Sequence, residues 1–595
     1  MTTKWDLTFL YQGTNDPQIQ IDLKRAEETA QTLERKYRGK IQSGEISSNE
    51  LLDFFQKVEE IYTILSKAGG FASLLFAQET TNDDFKKLDT EIQGKSVEIR
   101  NQLIWGELEI GKMSDNVVKT FTSDPILKNY HHFIKVLRLS KPYMLEEKVE
   151  QALSWKRLVG ASAWYKFYSE YTSAFRFDIE INGETKTLSP GEIRPLFHDP
   201  DALVREKAFR AYYQKYADES IAITHTFNNI WKDHSQNKSL RNWPETMTVA
   251  HLRNQTDEEI VMKMIEVVRK NFGLVQDYYK AKAKLLGNGN RIKGSDLYAP
   301  IGKTVKYSWA EAKKMVLDSY TDFDSKMGEL AQGIFDRNRI DSEVRKNKMT
   351  GAFCAGINPE LDPVILMSFD ETPDSVMTLG HEMGHALHDL FAGQKQTKLN
   401  YSPPLVTAET ASVFGEQIVI ERLLKEFTDE EGKLKILGRI LEDAILTISR
   451  QVMYIGFEKE CHETGGSRSL SGQEMCDIWD KHVRETYGEV VDFLPEQSWN
   501  WSTIPHFITT RFYCYAYSFG MLFVLGLYQK YLEEGEKFIP HYKAILQAGG
   551  SQFPIALAAS VGIDLTDEKF WQAGFEYLQN LLSEFRSLVE KQARS

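Results

Sequence analysis

The chain has 595 residues, 85 acidic against 72 basic side chains, a formal charge of -13 and 42% hydrophobic content. At roughly 100–200 residues per domain this makes about three to five domain-sized units, ample for a large core and an enclosed cleft. The hydrophobic content excludes wholesale disorder or a collagen-like chain, and the acidic surplus excludes the basic stripe of a nucleic-acid binder.

The start, Met1-Thr2-Thr3-Lys4-Trp5-Asp6, lacks a charged segment followed by an apolar one, so no secretory leader is expected. Apolar residues at three- and four-residue spacing predict helices over 27–37, 51–65, 202–216, 258–286 and 570–591. Between them, Phe175 to Ile181 alternates like a strand, and Asn182-Gly183 offers a type I′ hairpin turn. Pro190 and Asp199-Pro200 interrupt the pattern, which sets an expected boundary between an N-terminal helical region, 1–200, and a region spanning 201–595. A second strand pair is expected at 349–354 and 364–369. No run of 18 or more apolar residues is present, so no membrane span is expected, and 519–527 reads as a buried helix. Cys354, Cys461, Cys476 and Cys514 are far apart and read as reduced core thiols, which favours the cytoplasm.

The chemistry concentrates in His381-Glu382-Met383-Gly384-His385, an H-E-x-x-H motif. Such a match arises by chance in roughly 2% of chains of this composition, so its context matters. Thr372 reads as a helix N-cap, Pro373 as the first helical residue and Asp374 as a first-turn acid, with the helix running to about residue 390. His381 and His385 then lie one turn apart on one face, where two imidazoles reach one zinc ion, and Glu382 at the edge of that face reaches water bound there. A catalytic zinc takes three protein ligands and keeps one position open. A longer motif with glycine at 388 and histidine at 391 is absent, since those positions hold His388 and Phe391. His388 is two turns from His381 and neighbours the site rather than completing it. A helix expected after Pro403-Pro404 offers Glu409 and Glu416, about 10 Å apart along its axis, so only one binds the ion. The small neighbours Ala408, Thr410, Ala411 and Ser412 allow close packing at Glu409, which is taken as the ligand; Glu416 becomes a supporting carboxylate.

The segment from His381 to Glu416 resembles the thimet oligopeptidase family of zinc metallopeptidases, closest to its oligoendopeptidase F branch. The family pattern is H-E-x-G-H-x-x-H with a glutamate ligand about 25 residues on. Trp5-Asp6-Leu7, Gly351-Ala352-Phe353-Cys354 and the aromatic stretch from His506 to Gly520 extend the resemblance over essentially the whole chain. It implies a mainly α, two-lobed helical zincin with a small β-sheet beside a deep substrate channel. Residues 1–200 would form part of the channel wall and 201–595 the catalytic region. One Zn2+ per chain, held by His381, His385 and Glu409, would serve endopeptidase action on short unstructured peptides. The family's loop histidine and tyrosines donate hydrogen bonds to the tetrahedral intermediate. His506 matches the histidine, and Tyr515 best matches the tyrosine, with Tyr513 and Tyr517 as rivals because this loop is shorter and poorer in glycine.

Glu382 is the expected general base, with His506 and Tyr515 stabilising the oxyanion. The expected partners are short peptides, with neither nucleic acid nor membrane. The edge at Gly351 to Cys354 is a place for an extended peptide to add as a strand. Two other readings use the same scaffold. A zinc carboxypeptidase or dipeptidase needs an anchor for a chain terminus, and a non-catalytic peptide binder has no need of Glu382.

Overall fold

A computed structural model describes residues 3–302, 306–426 and 429–594. Helices dominate, and among the described residues the strands form three small sheets. The expected helices are present, extended by their caps. A reciprocal capping box between Ser47 and Glu50 opens Ser48–Gln78, and the Asp201 carboxylate caps Ala202–Asp218. The expected 258–286 helix is instead two, Glu258–Lys270 and Phe272–Leu285. Asn271 stands at the break with φ of -102° and ψ of 12°, outside the helical region, and its side-chain amide donates to the Val267 carbonyl at 2.9 Å beside its own backbone amide at 3.2 Å. No helix among the described residues is long and apolar enough to cross a membrane.

Phe177–Ile181 pairs antiparallel with Glu184–Leu188, and Asn182 and Gly183 take φ of 54° and 80°, as a type I′ turn requires. The second pair is shorter than expected. Phe353–Ala355 lies antiparallel to Val364–Leu366, while the Met349 amide turns away to the Ala77 carbonyl at 2.8 Å. Ile340–Asp341 pairs in parallel with the other side of Val364–Leu366, which leaves Phe353–Ala355 as an edge strand.

The chain forms two compact units, each assembled from three segments. The first comprises Met1–Pro142, Thr304–Glu426 and Leu527–Asp564; the second comprises Tyr143–Lys303, Phe427–Gly526 and Leu565–Ser595. The boundary expected near residue 200 falls inside the second unit. There the helix Ala202–Asp218 packs on the hairpin through Tyr212, stacked on Phe177 at 5.2 Å. The core of the second unit includes the fully buried Trp231, Trp479, Trp501 and Trp571, and an ion pair of Arg205 with Asp296 at 2.6 Å. In the first unit, the N-terminal helices and the small sheet share one core: Phe54, Phe55, Ile61 and Phe71 pack in the same cluster as Ile357, Val364 and Leu366.

At the centre of the first unit, Pro373–Gly393 crosses Thr410–Glu426 at backbone contact. Glycines make this possible. A Cβ on Gly384 would stand 2.2 Å from the Ala411 carbonyl oxygen and 2.6 Å from Ser412 Cα. A Cβ on Gly380 would meet Val419 at 2.8 Å, and one on Gly415 would strike the Tyr320 hydroxyl, which donates to the Gly380 carbonyl at 2.8 Å. The obstruction at Gly384 is backbone, which no rotamer relieves. Gly384→Ala is therefore expected to push the helices apart, destabilise the protein by about 1–3 kcal/mol and weaken its hold on metal. Thermal unfolding and metal titration of the variant check this; unchanged values for both would show that the crossing tolerates a side chain.

Candidate active site

Thr372 opens the motif helix: its hydroxyl accepts the Ser375 amide at 3.2 Å, and Pro373 occupies the first turn. One turn apart on this helix, His381 and His385 both direct Nε2 at a single oxygen of Glu409. The distances to Glu409 Oε2 are 3.4 Å and 3.3 Å. Glu409 does not lie in a continuous helix as expected. It sits in a turn between Leu405–Ala408 and Thr410–Glu426, where the Ser412 hydroxyl donates to its carboxylate at 2.7 Å.

The donor atoms of His381, His385 and Glu409 lie within 4.8 Å of one another. Three ligands at about 2.0–2.1 Å from one tetrahedral zinc stand about 3.3–3.4 Å apart, so the spacing seen here fits that ion. The three side chains keep 27%, 24% and 32% exposure, so the donors face accessible space rather than sealed core. Burial opposes ionisation of Glu409, but hydrogen bonds from the two imidazoles overcome it and hold the carboxyl far below its ordinary range. Burial also opposes charge on His381, yet the Glu409 and Glu416 carboxylates draw its pKa well above the ordinary value.

Three further groups surround this cluster. Glu416 lies 3.2 Å from His381 Nδ1, where it fixes the ring orientation with Nε2 directed at Glu409. Glu382 is 6% exposed, and its buried Oε2 has no hydrogen-bond partner. Burial raises its pKa, tempered by the imidazoles of His381 and His385. His388 is buried, its pKa lowered to about 4 by desolvation, and it lies outside the metal-spaced cluster.

The sequence offers Ser412 only as a small neighbour of Glu409, and it does not single out Asp389. Each has a positional signal: Ser412 is one turn from Glu409, and Asp389 is one turn from His385. Burial raises the Asp389 carboxyl to about 7, and Gly356 leaves it room, since a Cβ there would stand 2.1 Å from Asp389 Oδ2.

His506 and Tyr515 belong to the second unit. His506 opens the short helix His506–Thr509, and burial lowers its pKa. Tyr515 is 0% exposed, its hydroxyl accepts from Asn254 Nδ2 at 2.7 Å, and His251 Nδ1 is 3.3 Å away. Its phenol is therefore engaged inside its own unit. The two half-buried neighbours gather on His506 instead: Tyr513 stacks on the imidazole at 5.2 Å with 10° between planes, and Tyr517 meets it edge-on at 5.9 Å.

A model of peptidase family M3 matches residues 196–577, and one described as oligopeptidase F matches residues 109–177. The oligoendopeptidase F homolog of Lactococcus lactis subsp. lactis is 26% identical over 99% of this chain and 97% of its own length. Oligopeptidase PepF of Bacillus subtilis is 24% identical over 94% and 84%. Among solved structures, a putative peptidase from Chlamydophila abortus superposes with a TM-score of 0.86 at 23% identity, covering 98% of both chains. Oligoendopeptidase-F from Enterococcus faecium gives 0.70 at 23% identity, covering 96% of this chain and 98% of its own.

The two carboxylates near the histidines separate by mutation. Glu409→Ala removes the atom on which both imidazoles converge and is expected to abolish metal retention. Glu416→Ala removes only the orientation of His381 and is expected to weaken binding by about 10–100-fold. Metal content after dialysis and titration against a chelating dye read both; retention by Glu409→Ala with loss in Glu416→Ala would exchange the two assignments.

Proposed function

The chain belongs to peptidase family M3, and from that premise we propose that it is a zinc-dependent oligoendopeptidase cleaving internal bonds of short, unstructured peptides in the cytoplasm. The observation that carries this reading is the buried, unpartnered Oε2 of Glu382 beside three converging metal donors. An unpaired buried carboxylate oxygen is costly, and its position suits a proton acceptor. A purely structural or peptide-holding cluster has no use for it.

His381, His385 and Glu409 would hold the ion. When bound, zinc polarises the scissile carbonyl and lowers the pKa of water to near neutrality. Glu382 accepts the proton of the attacking water and delivers it to the leaving amine nitrogen. Glu416 keeps His381 in the orientation that directs Nε2 at Glu409, as a metal ligand would need. As peptide hydrolysis builds charge on the carbonyl oxygen, His506, Tyr513 and Tyr517 are the groups we assign to donate to it. Tyr515 is the weaker choice, since its hydroxyl is already engaged with Asn254.

Several features support the substrate class. Relatives carry the name oligoendopeptidase F. Phe353–Ala355 is an edge strand, the kind of element on which an extended peptide of any sequence can pair by its backbone. A folded protein has its backbone already paired and cannot offer it. All four cysteines are free thiols, in keeping with a reducing compartment.

Glu382→Gln is expected to retain zinc and bind peptide while the rate falls by about 10²–10⁴. Tyr513→Phe and Tyr517→Phe are expected to lower kcat more than they raise KM, since their donors act as charge develops. Tyr515→Phe should chiefly lower stability. Steady-state kinetics on a quenched peptide, with metal content, tests these assignments; full activity of Glu382→Gln would remove the general base.

Substrate size is tested separately by mass spectrometry of digests. Peptides of roughly 5–20 residues are expected to be cut internally, and stable globular proteins to survive. Release of single terminal residues alone would favour an exopeptidase.

A further inference from the structure

Beneath the aromatic loop of the second unit lies a buried acid with no role in the chemistry above. Glu458, on the helix Arg450–Gly465, is 0% exposed, and its Oε1 accepts the Phe512 amide at 2.8 Å. Its other oxygen has no partner. One turn on, His462 is also buried, with neither ring nitrogen hydrogen-bonded, and its Nε2 is 3.9 Å from Glu458 Oε1. The His462 ring packs against Phe512 at 5.0 Å and Trp231 at 4.5 Å.

Phe512 itself is unusual. It has φ of 55° and is 0% exposed, a left-handed backbone on a bulky aromatic. Such a conformation persists only where surroundings over-determine it, and such outliers cluster at functional sites. Phe512 immediately precedes Tyr513, and the turn around it is closed by the Tyr513 amide donating to the Thr510 carbonyl at 3.2 Å. This turn sets where the Tyr513 ring lies, stacked on His506.

We infer that Glu458 is a positioning residue: by accepting the Phe512 amide it holds the strained turn that stacks Tyr513 on His506. The inference rests on the role assigned above to His506 and Tyr513. Glu458 does not touch substrate. It acts through one backbone hydrogen bond, which no side chain of the loop supplies for itself. Burial pushes its carboxyl up to about 8, while the Phe512 amide and Arg511 pull the other way. Burial thus favours the uncharged form, which makes glutamine its close mimic as an acceptor.

Glu458→Asp withdraws the acceptor by one methylene while keeping its chemistry, and Glu458→Gln keeps the acceptor in place. In Glu458→Asp, amide exchange across residues 511–517 is expected to accelerate at least about tenfold. The kcat should fall by at least about tenfold with KM within about twofold, because the loop donors are displaced rather than lost. Metal content and the thermal midpoint should stay near those of the unaltered protein. Glu458→Gln is expected to restore slow exchange and most of kcat.

Unchanged loop exchange in Glu458→Asp, or a global loss of protection with kcat intact, overturns the inference. Should the aspartate variant not fold, the unaltered protein decides. The Phe512 amide is expected among the slowest to exchange in 506–517, and a fast one overturns the claim. If His506→Ala and Tyr513→Phe leave kcat unchanged, the oxyanion assignment has failed instead, and the exchange measurements alone judge Glu458.

Discussion

The first unit depends on the approach of two helices at Gly384. Pro373–Gly393 carries two imidazoles, and the carboxylate that meets them comes from the neighbouring segment that leads into Thr410–Glu426. Without a Cβ at position 384, the Ala411 carbonyl and the Ser412 backbone come into direct contact with the motif helix. Any larger residue adds separation between the histidines and Glu409, and three donors around an ion of fixed radius tolerate little of it. The glycine within the H-E-x-G-H sequence is therefore a packing requirement of the His381, His385 and Glu409 cluster, written between its two histidines.

Two carboxylates near the same histidines are pushed in opposite directions by what surrounds them. The Glu409 carboxylate accepts a hydrogen bond from the Ser412 hydroxyl and faces both imidazoles, which keeps it ionised and suited to hold a cation. Glu382, next to His381 in sequence, is more deeply buried and has an oxygen with no donor at all. Environments that push two acids in opposite directions divide their labour between them. Glu416 takes a third position, behind His381, where it sets ring orientation without approaching the convergence point of the donors.

Much of this was legible in the sequence, and the exceptions have physical causes. The H-E-x-x-H spacing, the Thr372-Pro373 start and the small residues around Glu409 correspond to the cluster the structure brings together. The break at Asn271 was not legible, because the apolar stripe continues through it and the interruption is a single residue that leaves helical dihedrals. The turn at Glu409 escaped for a similar reason, as helical spacing says nothing of a one-residue interruption. Ser412 was read as a small neighbour, although its hydroxyl is what steadies the Glu409 carboxylate. The compact units interleave along the chain, so a boundary marked by prolines near residue 200 does not coincide with either unit's edge.

The aromatic loop shows a further limit of reading by register. A Tyr-x-Tyr pattern singles out Tyr515, yet alternate residues at a helix start point to opposite sides, whereas residues four apart share one. Tyr515 turns inward to Asn254 and His251, while Tyr513 and Tyr517 meet each other at 5.1 Å and His506 between 5 and 6 Å. Burial thus sorts three tyrosines that composition treats as equal: one secures the helix start and two remain beside the histidine. The arrangement also explains why a residue as bulky as Phe512 carries a positive φ. A relaxed backbone there would change the direction of the chain one residue before Tyr513. The buried aromatic packing on His462 and the Glu458 hydrogen bond together offset that strain, so the loop's geometry is set from beneath rather than by the residues it displays.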